Sequence, residues 1–464
     1  MKSRQLKEYG CPPGALKLAQ KTIVAAQQSG MKKQALHETV MAVLACPEKH
    51  TVDPQFGELA ATIVAFLTAQ ARFEPRPEAA PWRQWGEDLE LQAVQQMRTA
   101  CDLPVTVQGA LMPDAHLGYG LPIGGVLATK DTVIPYAVGV DIACRVKMTV
   151  MDMPVAALDD NRDALKNALI RETAFGMGAK FKKKRSHGVL DQDWSVSPIT
   201  QQNKDKAWSQ LGTSGSGNHF VEYGELKITG EGLALEPGKY LAILSHSGSR
   251  GTGYAVCNHY SKIAMGQHPE LPNEMRHLAW LDLDSQEGEE YWNAMNLMGD
   301  YASANHHCIH EEMHKSLGTK PILDIENHHN FAWKETHFGE ELIVHRKGAT
   351  PAGEGVLGLI PGTMAHPTYI VRGLGHADSL DSAAHGAGRV MSRTKAKKVI
   401  DKKEWGRILK EKGVELLSAG VDEAPGVYKD INEVMQHQSD LVEPLAQFHP
   451  KMVRMAKAGE RPED

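Results

Sequence analysis

After about residue 95 the apolar residues of this chain come in short β-branched runs, VTVQGALMPD, VIPYAVGVDIACRVKMTV, YLAILSH, PILDIEN and ELIVHRKGAT, separated by Gly, Asp and Asn. Runs of this length and composition read as strands. Helical stretches lie between them, notably Gly288 to Leu317 and Lys402 to Leu417, so the larger part is expected to be a mixed α+β domain. The start of the chain differs. Ala15 to Ser29, Ala35 to Cys46 and a stretch with Leu59, Ile63, Phe66 and Leu67 on one face carry apolar residues at helical spacing. That pattern predicts a small helical bundle. Pro75, Pro77 and Pro81 in FEPRPEAAP (Phe73 to Pro81) cannot continue a helix and read as a linker. The expected organisation is a helical accessory region over 1–80 and a catalytic domain over 81–464.

The formal net charge is −6, which excludes a polycation that coats nucleic acid by overall charge. A polyanion must meet a local patch. Two basic runs offer one, KFKKKR (Lys180 to Arg185) and the segment from Ser392 to Lys403, although such runs are often only solvated surface. The 6 cysteines form no CxxC pair, and MKSRQLKEYG lacks the apolar core of a secretion signal. A reducing cytoplasm is the expected location. LAATIVAFLTAQA is too short to cross a bilayer, so no membrane association is expected.

The chain holds 43 glycines and 22 histidines, and several of each meet at strand ends. Asp141 and Cys144 follow a β-branched run in VGVDIAC; Asn218 and His219 follow a Gly/Ser loop, with Glu222 beyond. LSHSGSRG carries His246 and Arg250, IENHHNF carries His328 and His329, and SAAHGAGR carries His385 and Arg389. A lone histidine is usually a satisfied structural residue. Several glycine-flanked ones at separate strand ends have little hydrophobic reason to be there. A thiolate, a carboxylate and imidazoles suit Zn(II), Mn(II) or Fe(II), and the residue types do not choose among them. The loops TSGSGN, HSGSRG and HGAGR would let backbone N–H groups approach phosphate, with arginines beside them. None is a P-loop or a dinucleotide fingerprint.

His310-Glu311-Glu312-Met313-His314 satisfies HExxH within a helical stretch, the pattern of a zinc hydrolase. Its polar surroundings read as a solvated helix face, and no extended zincin pattern follows. A metal-dependent hydrolase is therefore the alternative reading.

Taken in order, LMPDAHLGYGLPIGGVLAT, VIPYAVGVDIAC, GSGNHFVE, HSGSRG, VHRKGAT, LIPGTM, HGAGRVMSR and DEAPGVYKDI resemble the RtcB family of RNA ligases, from roughly residue 90 to the C-terminus. The resemblance implies a catalytic domain of mixed and antiparallel sheets flanked by helices. It also implies joining of RNA 3′-phosphate or 2′,3′-cyclic phosphate ends to 5′-hydroxyl ends, with GTP and two Mn(II) ions and an archease-like activator as a possible partner. On this resemblance His385 is the nucleophile that carries GMP. Cys144 bridges two metals, with Asp141 and His219 on one, and His246 and His329 on the other. Asn218, Glu222, Asn330, Thr363, Thr368, Gly386, Gly388, Tyr428 and Lys457 fall at nucleotide-binding positions, and Arg250 and Arg389 beside phosphate or RNA.

The chain departs from the family pattern at Arg145, where glycine is usual, and at Pro351, where arginine is common. Asn305-His306 replaces asparagine-arginine, which removes one arginine expected to face RNA or phosphate. The bundle before residue 80 lies outside the resemblance and suggests a branch dedicated to repair of cleaved RNA. A non-catalytic relative that binds damaged RNA ends is the third reading.

Overall fold

A computed structural model describes residues 1–70, 73 and 76–461. The chain divides into two compact units, Met1–Pro75 with Met265–Arg276, and Arg76–Ala264 with His277–Asp464. Part of the linker expected at Phe73 to Pro81, residues 74 and 75, lies outside the described residues.

In the first unit, helices run Ser3–Glu8, Leu16–Gln28, Lys33–Ala45 and Gly57–Gln70. They enclose Leu6, Ala19, Ile23, Val40, Phe56, Leu59 and Ile63. Leu67, expected on the inward face, is instead exposed.

The second unit is built on two large sheets. The 5-stranded sheet runs in the order Trp82–Gln84, Thr106–His116, Ile123–Thr129, Glu340–Lys347 and Asn330–His337. Only its first pair is parallel. The 8-stranded sheet has the order Leu357–Ile360, Thr368–Gly373, Val442–Met455, Phe220–Ile228, Gly238–Ser247, Arg145–Met151 and Pro321–His328, with Glu415–Ser418 paired parallel to Val442–Met455. The architecture is α+β. Val146, Met148, Leu226, Leu244, Ile325, Ile370 and Phe448 pack on one side of this sheet. Val221, Tyr223, Ile243, Ile309 and Met313 pack on the other, with the long helix Gln286–Leu317. This alternation of facing is the period of a strand buried on both sides.

Two expectations about elements change. The helix from Lys402 ends at Lys412, because Gly413 takes φ +64° as its left-handed cap, and Glu415–Ser418 is a strand. The β-branched run from Val133 is broken by the short helix Pro135–Val138 before the strand Arg145–Met151 begins. Proline fixes the first helical turn there.

Candidate functional site

Strand register assembles the site. In the 8-stranded sheet His246 pairs with Phe220 on one side and Val146 on the other. Arg145 pairs with His328, so the residues just outside those strands, Cys144 and His329, face each other, and His329 N–H donates to the Cys144 carbonyl at 3.0 Å. His219, just before Phe220, completes the set, so Cys144, His219, His246 and His329, far apart in sequence, meet at one end of adjacent antiparallel strands.

Their donor atoms converge. Cys144 Sγ lies 3.2 Å from His246 Nε2 and 3.4 Å from His219 Nε2, and His246 Nε2 lies 3.3 Å from His329 Nε2. Asp141 Oδ2 is 3.2 Å from His219 Nε2. The ligand atoms form two groups, Cys144–His246–His329 and Asp141–Cys144–His219, sharing the sulfur and all buried. His219 Nδ1 sits 2.8 Å from the Ser214 carbonyl and His246 Nδ1 3.1 Å from the Asn218 carbonyl. A carbonyl accepts only from N–H, so each Nε2 is left with its lone pair toward the sulfur.

Burial, and then the neighbouring imidazoles, push His246 and His329 well below the usual histidine range. Asp141 Oδ2 and His329 Nδ1 are buried without a hydrogen-bond partner. Facing lone pairs and an unsatisfied buried carboxylate oxygen are costly unless a cation lies between them. The residues fit a metal ion.

The local backbone is shaped for this arrangement. Ala143 takes φ +57°, and its N–H donates to the Asn330 carbonyl at 2.7 Å, which turns Cys144 back toward the strand ends. Gly248 has no room for a side chain, since a Cβ there would stand 2.2 Å from both Asp141 carboxylate oxygens.

His385 lies beside this cluster, its ring centroid 4.9 Å from that of His329. Its Nδ1 is 2.6 Å from Asp114 Oδ2, which also accepts from the His385 and Gly386 backbone N–H groups at 3.2 and 3.3 Å. Asp114 is fully buried. A carboxylate at Nδ1 fixes the tautomer with Nε2 free for chemistry. The sequence reading assigned Asp114 no role, although LMPDAH was among the motifs. Nothing local marks it, because its partner is 271 positions away.

A cavity of about 600 Å³ joins these residues. Asp141, Cys144, His219, His246, His329 and His385 line it, as do Asn218, Glu222, Asn330, Thr363, Thr368, Gly386, Gly388, Arg389 and Tyr428. Burial alone raises the Glu222 carboxyl well above the usual range. Asn330 Oδ1 accepts from Gly348 N–H and its Nδ2 donates to the Asp141 carbonyl, so it braces the metal-side loop. Arg389 donates to Tyr428 Oη at 3.3 Å, and Tyr428 donates in turn to Glu423. Lys347, also unassigned from sequence, is buried in the wall, where desolvation brings its pKa down to about 8.

Two residues are not brought to the cavity wall. Arg250 is buried, with φ +58°, and its guanidinium reaches Thr213 Oγ1 and the Gly176 carbonyl. Lys457 stands exposed beyond the strand Val442–Met455.

His306, where the family motif has arginine, serves the packing of the fold. It is fully buried, with Nδ1 at 2.6 Å from Ser245 Oγ and Nε2 at 3.0 Å from the Ser247 carbonyl. The HExxH segment is also not a solvated face. His310 and His314 are buried, but His310 engages Ser245 and Thr149, His314 engages Thr319, and Glu311 pairs outside with Lys315. Among the described residues these imidazoles share no ligand point.

The family model for "tRNA-splicing ligase RtcB" matches residues 96–197 and 185–456. Over 408 residues the chain is 36% identical to an Escherichia coli "RNA-splicing ligase RtcB1", covering 79% of this chain and 95% of that protein. It is 33% identical over 435 residues to a Nanoarchaeum equitans "tRNA-splicing ligase RtcB", covering 77% and 90%. An Archaeoglobus fulgidus protein of the same name is 30% identical over 440 residues, covering 78% and 90%. With ordered motifs, a matching model across most of its length and relatives spanned nearly end to end, the chain belongs to the RtcB family.

Proposed function

We propose that this chain is a GTP- and Mn(II)-dependent RNA ligase that joins RNA 3′-phosphate or 2′,3′-cyclic phosphate ends to 5′-hydroxyl ends through a histidine–GMP intermediate, in RNA repair or tRNA splicing. The observation that carries the reading is His385, held at Nδ1 by buried Asp114, its ring beside the thiolate-centred ligand cluster. In this reading residues 81–464 are the catalytic domain and 1–80 an accessory region.

Neutral His385 attacks the α-phosphorus of GTP through Nε2, and pyrophosphate leaves. Asp114 keeps the Nδ1 proton and stabilises the positive charge that the ring gains on bonding phosphorus. The GMP then passes to an oxygen of the RNA 3′-phosphate, breaking the P–N bond, and the 5′-hydroxyl displaces GMP from the activated phosphate. Asp141, Cys144, His219, His246 and His329 would hold two Mn(II) ions. Such ions supply charge neutralisation for the triphosphate. Asn218, Glu222, Thr363 and Thr368 would contact the nucleotide, with Tyr428 on its purine side and Arg389 beside phosphate.

The test is sealing of two labelled RNA pieces, one ending in 3′-phosphate and the other in 5′-hydroxyl. Joined product requiring GTP and Mn(II), and lost in His385→Ala, is expected. Joining that persists in His385→Ala contradicts the assignment.

A further inference from the structure

The cavity that contains His385 continues to an aromatic rim that the chemistry above leaves unused. Leu117 and Tyr119, just after the strand Thr106–His116, line it and are 48% and 68% exposed. Their backbone is firmly anchored. Leu117 N–H donates to Glu90 Oε2 at 2.9 Å, and Gly118 exchanges two hydrogen bonds with the Gln96 amide at 2.7 and 3.0 Å. The Tyr119 carbonyl accepts from Lys347 Nζ at 2.6 Å. Gly120, at φ +71°, packs so closely on the His277 carbonyl that a Cβ would stand 2.8 Å from it. A loop tied at each of these points nevertheless presents two apolar side chains to water.

Behind it the rings continue inward. His277 meets Tyr119 edge-on at 5.9 Å between centroids and Tyr136 at 4.8 Å, and Tyr136 lines the cavity. The rim is also close to the nucleophile. Gly348, next to the lysine that holds Tyr119, is so near His385 that a Cβ there would stand 3.2 Å from its ring carbon Cε1. One lysine side chain thus links the reacting imidazole's neighbour to the Tyr119 loop.

We propose that Tyr119, backed by His277 and Tyr136, is a stacking platform for the nucleobase adjacent to the RNA end being joined. The inference rests on the ligase reading and deepens it. A ligand that reaches both a ligand cluster suited to bound cations and an exposed aromatic ring combines a phosphate pole with a flat apolar face, which describes a nucleotide. Stacking on a ring accepts any base, because every base has a π-face. The platform therefore positions RNA ends without selecting sequence.

Full-length protein is titrated with RNA carrying 2-aminopurine beside the 3′-phosphate and, separately, beside the 5′-hydroxyl. Quenching by at least one probe is expected with the parent chain and with Tyr119→Phe, and loss of it with Tyr119→Ala. In Tyr119→Ala the KM for RNA joining should rise roughly 5- to 150-fold with little change in kcat. The step that needs no RNA, formation of the protein–GMP adduct, should keep its rate. Unchanged RNA binding and quenching in Tyr119→Ala overturns the platform, and leaves the exposed ring to a protein partner. Equal loss of adduct formation and RNA joining also overturns it, by assigning Tyr119 to the cavity's architecture. If the metal-loaded parent chain forms no adduct yet quenches the probe through Tyr119, the ligase reading fails and the base contact stands.

Discussion

Single residues account for both what was legible in the sequence and what was not. Cys144 and the histidines at strand ends stood out as metal-capable because glycine-rich surroundings give them little hydrophobic reason to be there, while the choice of His329 over His328 came with the family resemblance. Asp114 could not, since a carboxylate gains its meaning only from the imidazole folded onto it. Asp114→Asn leaves the shape but weakens control of the His385 tautomer. Protein–GMP formation in a single-turnover assay should fall by roughly 10²- to 10⁴-fold, while bound metal is unchanged. Gly248→Ala should show the opposite pattern. Its methyl overlaps Asp141, so metal content by elemental mass spectrometry drops, and stability falls by about 1–3 kcal/mol. The Arg145 and His306 departures also belong here. Arg145 pairs with Glu326 and donates to the Gly299 carbonyl of the helix that carries His306. Burial would raise the Glu326 carboxyl; the charges of Arg145, His306 and Lys147 hold it down to about 2. Both positions are buried and bonded within the fold, Arg145 to Glu326 and His306 to Ser245 and Ser247, which a departure from the family's motif does not reveal.

At the scale of elements, strands were more legible than their limits. β-branched runs announce a sheet, but the register that brings Cys144 opposite His329 follows from pairing between distant segments. The Leu416–Leu417 stretch joined a strand because a neighbouring strand edge was available, a tertiary outcome that local spacing does not encode. The smaller sheet carries a pH dependence of its own. His345 is fully buried, with Ile134 N–H donating to its Nε2 at 2.9 Å and its Nδ1 at 3.1 Å from the Leu127 carbonyl. Burial holds it down to about 4, since protonation would set two N–H groups against each other. The unfolded chain then binds the extra proton between about pH 6.5 and 4, so stability rises with pH across that window and is lost on acidification. Urea midpoints should fall from pH 6.5 to 5, His345 contributing about 2 kcal/mol. His345→Gln should remove about one proton from the slope.

For the molecule as a whole, net charge gave only an exclusion, and the grouping of Met265–Arg276 with the N-terminal unit had no signature in a linear boundary. RNA must find local cations. Lys182 and Lys183 are exposed, whereas Arg185 of the same run is committed to the Gly212 and Glu172 carbonyls. Lys182→Glu with Lys183→Glu should weaken RNA joining more than protein–GMP formation, and the slope of log affinity against log salt should shrink by about 0.7 for every phosphate that the variant no longer neutralises. An equal effect on both steps would remove this run from the RNA path. The role of His385 is decided by mass spectrometry of the full-length protein after exposure to Mn(II) and each ribonucleoside triphosphate in turn. One added GMP is expected, acid-labile and base-stable, mapped to His385 and absent from His385→Ala. Metal-loaded protein that stays unmodified with GTP, or an adduct mapped to another residue, would contradict it.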